Sequence, residues 1–131
     1  EEGEATVTVV VLPDFYGTYS LIEVNGISIP GTTYEDSLYI IETSGGSVTL
    51  NMDGTFSYSL SSTGTNKVGG ESFDEGGSGS GTYTHTGGVL TFNVEEQEGP
   101  MTIASGSVNG KQLTVSVNYG DTVGSGVLVR N

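Results

Sequence analysis

The chain has no cysteine and no tryptophan, and only three basic residues among its 131. Each scarcity removes a class of chemistry. Without cysteine there are no disulfides, thiolate metal sites, iron–sulfur clusters or cysteine nucleophiles. Lys67, Lys111 and Arg130 are too scattered to form a basic stripe, and sixteen acids against them give a formal net charge of −13. Such a surface repels nucleic acid and anionic lipid, so neither is an expected partner. Charged residues make up only 15% and hydrophobic residues 34%, which fits neither a membrane span nor a charge-rich disordered chain. No Asn-x-Ser/Thr acceptor occurs, and no segment places apolar residues at the three-and-four spacing of an amphipathic helix.

What is present is Ser, Thr, Asn and 22 glycines, interleaved with short apolar alternations. The length suits one domain with a single core. The chain opens Glu1-Glu-Gly-Glu4, without an initiator Met or a signal segment, as a processed mature N-terminus would. Together with the Ser/Thr/Gly-rich, lysine-poor composition, this leads to an expected extracellular or envelope location.

The least charged and most β-prone stretch is Ala5 to Pro13, with Val7, Val9 and Val11 on one face. It either closes the domain's own sheet or pairs with a neighbour's, because an unpaired flat apolar strand is an association hazard. Downstream, period-two alternation recurs between turn signals. Tyr16 to Val24 ends at Asn25-Gly26, and Leu38 to Thr43 is expected to turn at Ser44-Gly45-Gly46 into Ser47 to Met52. Asp53-Gly54 then leads into Thr55 to Ser61, where Phe56, Tyr58 and Leu60 alternate with Thr55, Ser57 and Ser59. From Ser62 to Ser80 the alternation lapses, which reads as a long loop with Val68 and Phe73 as anchors and a linker-like Gly-Ser run. It resumes at Gly81 to Thr86, turns at Gly87-Gly88, and runs through Leu90, Phe92 and Val94 to an acidic turn at Glu95 to Pro100. Met101 to Val108, a turn at Asn109-Gly110, Gln112 to Tyr119 and Gly126 to Arg130 complete the chain. About nine short strands with tight turns and no crossover helix predict an all-β, antiparallel up-and-down meander that rolls into a barrel of about 8–10 strands.

Gly17-Thr-Tyr-Ser-Leu-Ile-Glu-Val-Asn-Gly26, Gly46-Ser-Val-Thr-Leu-Asn-Met-Asp-Gly-Thr-Phe56, Gly81-Thr-Tyr-Thr84 with Val89-Leu-Thr-Phe92, Gly106-Ser-Val-Asn-Gly110 with Leu113-Thr-Val115, and Val127-Leu-Val-Arg130 resemble the small bacterial lipocalin-like, calycin-type domains. The resemblance covers residues 17 to 130, and Gly17-Thr-Tyr19 stands where lipocalins carry Gly-x-Trp. It implies a meandering barrel of eight or so strands, usually exported or envelope-attached and generally not enzymatic. The chain thus divides into an N-terminal strand segment, residues 1–16, and a barrel domain, residues 17–131. The strand at 5–13 has no counterpart in the lipocalin-like pattern.

No residue set identifies a reaction. His85 is the only histidine and shares a face with Tyr83, but no Gly-x-Ser-x-Gly elbow accompanies it, so it reads as structural. Asp74/Glu75 and Glu95/Glu96/Glu98 are the dense acid groups. In turns they are solvated, and they lack the Asp-x-Asp-x-Asp-Gly spacing of a calcium loop. No metal ligand set and no cofactor is expected. The aromatics fall mostly on inner faces, and if a cavity exists its walls are expected from Tyr58, Tyr83, Phe92 and Val115. Two functions follow. One is a structural, self-associating barrel whose partners are copies of itself, joined through Val7, Val9 and Val11 by strand addition into a filament or surface assembly. The other is a carrier of a small apolar ligand.

Overall fold

The structure is a computed structural model that describes residues 15–74, 76–99, 101–119 and 122–131. The expected strand at 5–13, with Val7, Val9 and Val11, lies outside these residues. Eleven strands follow in chain order: β1 (Gly17–Val24), β2 (Ile27–Ser28), β3 (Gly31–Glu35), β4 (Tyr39–Leu50), β5 (Thr55–Asn66), β6 (Ser72–Asp74), β7 (Gly77–Thr86), β8 (Val89–Glu98), β9 (Met101–Asn109), β10 (Gln112–Tyr119) and β11 (Thr122–Arg130). There is no helix among the described residues. All pairings are antiparallel, in the order β1-β11-β10-β9-β8-β7-β5-β4, and the ring closes where Gly17–Ser20 of β1 meet Leu50–Ser47 of β4. The result is a closed eight-strand up-and-down barrel, with β2, β3 and β6 as additions.

Alternation explains the core. Phe56, Tyr58 and Leu60 of β5 point inward, as do Leu90 and Phe92 of β8 and Leu113, Val115 and Val117 of β10, and all are buried. Ser57 and Thr91 face solvent, and Thr114 is half-buried. The rings of Phe56 and Phe92 lie 4.7 Å apart and those of Tyr83 and Phe92 6.3 Å apart, within the range of favourable aromatic packing. The turns form where glycine supplies positive φ: Asn25-Gly26 at φ 50° and 82°, Gly87-Gly88 at 58° and 85°, and Gly54 at 88° in the Asn51–Gly54 turn. At the β9–β10 turn Gly110 has φ 63°, but Asn109 pairs with Gln112, so the turn pair is Gly110-Lys111.

Several sequence expectations are corrected. Ser44-Gly45-Gly46 is not a turn. β4 runs through it with a bulge between Thr43 and Gly45, which shifts the inward register from Leu50, Val48 and Gly46 to Thr43, Ile41 and Tyr39. Met52, expected beside Val48 and Leu50, sits in the turn and is 68% exposed. The expected loop from Ser62 to Ser80 is largely strand. β5 continues to Asn66, β6 returns beside it, and the Gly-Ser run is the start of β7. Gly79 lies opposite Tyr58, and a Cβ there would come within 2.6 Å of the Tyr58 ring and hydroxyl. The glycine therefore makes room for a cross-strand aromatic, a structural use rather than a linker. Glu95, Glu96 and Glu98 likewise lie on β8 instead of in a turn.

Candidate functional site

The two ends of the barrel are built differently. At one end the Asn51–Gly54, Gly87-Gly88 and Gly110-Lys111 turns gather around Phe15, which is 5% exposed and plugs the barrel. Its ring packs on His85 at 4.5 Å and edge-on to Tyr83 at 6.2 Å, while its carbonyl accepts the Tyr19 hydroxyl at 2.6 Å. The Tyr83 hydroxyl donates to the Asn51 carbonyl at 2.7 Å, and burial pushes its pKa up to about 12. His85 Nε2 accepts the Gly88 N–H at 3.2 Å. Its ring and its acceptor nitrogen are thus both used in structure, and no nucleophile or orienting carboxylate approaches it among the described contacts.

At the other end β4 and β5 outrun the barrel, flanked by β3 and β6, as a four-stranded extension. Its inner face continues the barrel lining. The first level is polar: Thr33 Oγ1 lies 2.9 Å from Thr43 Oγ1, which lies 2.7 Å from Ser62 Oγ, with Thr43 and Ser62 buried. The next level is apolar. Tyr34 pairs with Ile41, Ile41 with Gly64, and Gly64 with Phe73, whose ring covers the bare glycine. Above it Tyr39 pairs with Asn66, and the Tyr39 and Phe73 rings meet edge to face at 5.7 Å. Tyr39, Ile41, Asn66, Glu71, Ser72 and Phe73 line an open groove of about 600 Å³.

The tip is held by Asp36, which accepts the Tyr34 hydroxyl at 2.6 Å and the N–H groups of Leu38 and Tyr39 at 2.8 and 2.7 Å. The Tyr34 hydroxyl, then the two backbone donors, hold the Asp36 carboxyl below the ordinary carboxylate range, and Asp36 in turn raises Tyr34. Lys67 bridges to Glu35 at 2.7 Å between half-exposed side chains, which contributes little to stability. Leu38 and Val68 remain exposed at this tip, at 52% and 71%.

Charge is segregated along the barrel axis. Among the described residues the plugged end carries Asp53 against Lys111 and Arg130, a side-chain net of +1. The extended end carries Glu23, Glu35, Asp36, Glu42, Glu71, Asp74, Glu95, Glu96 and Glu98 against Lys67, a net of −8. No group of three or more metal-binding side chains gathers among the described residues.

The residues expected to wall a cavity are core residues. Tyr58, Tyr83, Phe92 and Val115 are all buried. Tyr58 and Val115 border an internal space of about 30 Å³ shared with Leu21, Val48, Ile103 and Val117, whereas Tyr83 and Phe92 do not line it. That is about one water's share of liquid volume, against roughly 300–1,000 Å³ for pockets that hold small molecules. The groove at Tyr39, Ile41 and Phe73 was not foreseen, and the only sequence signal for it was the pair of apolar anchors left inside the presumed loop.

Compared with known proteins, the chain matches no family model and no curated protein.

Proposed function

We propose that the protein is a non-enzymatic, exported structural barrel that associates with copies of itself head to tail, its N-terminal strand at Ala5–Pro13 joining one subunit to the next. The observation that carries the reading is the open apolar face of the β3–β4–β5–β6 extension, whose edge strands β3 and β6 each pair on one side only among the described residues. A head-to-tail contact that does not close gives a filament. The closed eight-strand meander supports the lipocalin-like resemblance, from which the exported location is carried over as part of the proposal. The filled interior, with its space of about 30 Å³, favours a structural role over a carrier of an apolar ligand.

Deletion of residues 1–12 tests the reading by light scattering. The account expects the wild type to gain mass with concentration, and the truncated barrel to stay folded and monomeric. A wild type that is monomeric at every concentration overturns it.

A further inference from the structure

We infer that the inner face of the β3–β4–β5–β6 extension is the acceptor for the Ala5–Leu12 segment of a second copy. In this arrangement Val7, Val9 and Val11 lie over the groove between Tyr39, Ile41 and Phe73, and the segment's backbone runs beside β6. The inference rests on the head-to-tail reading above and names its contact.

Three observations converge on it. First, this face is a continuation of the barrel lining with no opposite wall among the described residues: Tyr34, Ile41, Gly64 and Phe73 form one cross-strand level, and Tyr34 and Tyr39 are left 51% and 38% exposed. Second, β3 and β6 each pair on one side only among the described residues, so the sheet retains free edges with main-chain donors and acceptors. Third, the chain's own Val9 and Val11 cannot reach it. Phe15 is fixed at the plugged end, level with Gly54, and Gly64 lies ten residues further along β5, about 30 Å at strand rise. Val9 is six residues before Phe15 and extends at most about 21 Å, and Val11 about 14 Å. The groove of one copy therefore receives Val9 and Val11 only from another copy, whose plugged end then faces this extended end.

The natural absence of cysteine gives a clean cross-linking test. In the full chain, Val9→Cys combined with Tyr39→Cys is treated with a short bis-maleimide and resolved under denaturing conditions. The proposal expects a ladder of covalent oligomers, suppressed at least tenfold when Val7→Asp and Val11→Asp are added. Val9→Cys with Met52→Cys, which places the second thiol at the plugged end, is expected to give no ladder. A link formed within one chain overturns the acceptor assignment, as does a ladder with Met52→Cys and none with Tyr39→Cys. Wild-type protein that assembles while the Tyr39 pair stays unlinked rejects this acceptor alone, whereas a strictly monomeric wild type rejects the head-to-tail reading with it.

Discussion

The plugged end and the extended end use the same materials, short strands with aromatic residues on inner faces, to opposite effect. At the plugged end the aromatics at the barrel axis are covered: Phe15, Tyr19 and Tyr83 are at most 8% exposed, and the hydroxyls of both tyrosines are hydrogen-bonded to backbone carbonyls, while Tyr16 packs half-buried against Phe15. At the extended end Tyr34, Leu38 and Tyr39 stay between 38% and 52% exposed, on a sheet face that none of the other described residues covers. The difference comes from strand length. β4 and β5 run twelve residues each, while β1 and β10 run eight, so the long hairpin carries its inner face past the point where facing strands end. One end is therefore a source of stability and the other an apolar surface that a partner can cover.

The comparison breaks most visibly if aromatic truncations cost the same at both ends. Phe92→Ala, in the core behind the plug, is expected to destabilise by roughly 3–5 kcal/mol in denaturant melts, and Tyr39→Ser at the extension by no more than about 0.5 kcal/mol. Equal losses would mean that the extension is an integral part of the core. Gly54→Val tests the plugged end's turn geometry. With φ at 88° the branched side chain is strained, and the expected loss is about 1–3 kcal/mol. An unchanged melting midpoint would contradict the turn.

Thr43→Val probes the junction between the two regions. It leaves Thr33 and Ser62 without their shared hydroxyl, at an expected cost of about 1–3 kcal/mol, while a stability gain would mean that water already serves them. The smallest effect is with pH. The folded-state pKa of Asp36 is depressed, so its contribution is present above the unfolded carboxylate value of about 4 and is lost as pH falls through the folded value. Amide exchange at Leu38 and Tyr39 is expected to quicken over that acid range in the wild type, and to be quick already at neutral pH in Asp36→Asn. Equal protection in the two proteins would remove the cap.

Where hydropathy alternates without interruption, the sequence was sufficient. Phe56-Tyr58-Leu60 and Leu113-Val115-Val117 announce both their strands and their inward faces, and the meander follows from the turns between them. Two kinds of feature were hidden. Glycine has no hydropathy, so the alternating Gly77, Gly79 and Gly81 of β7 read as a linker although they face Tyr58 and the barrel interior. A bulge inverts register without changing composition, so Ser44-Gly45-Gly46 read as a turn, and the inward face of Ile41 and Tyr39 was lost with it. The groove depends on both. Tyr34, Ile41, Gly64 and Phe73 come from four strands and meet only once the bulges at Thr32/Tyr34 and Thr43/Gly45 have set the pairing.

Sedimentation velocity of the wild type beside Lys111→Glu, at low and high salt, tests the head-to-tail claim most directly. Lys111 is exposed in a turn at the plugged end, so reversing it replaces a cation by an anion on the face that meets the neighbour's acidic extension, without touching the core. The account predicts a wild type whose mass rises with concentration above the 13.5 kDa monomer, with Lys111→Glu shifted toward monomer at low salt and less so at high salt. A wild type that sediments as one 13.5 kDa species throughout, or a variant that assembles as readily as the wild type at low salt, would contradict it.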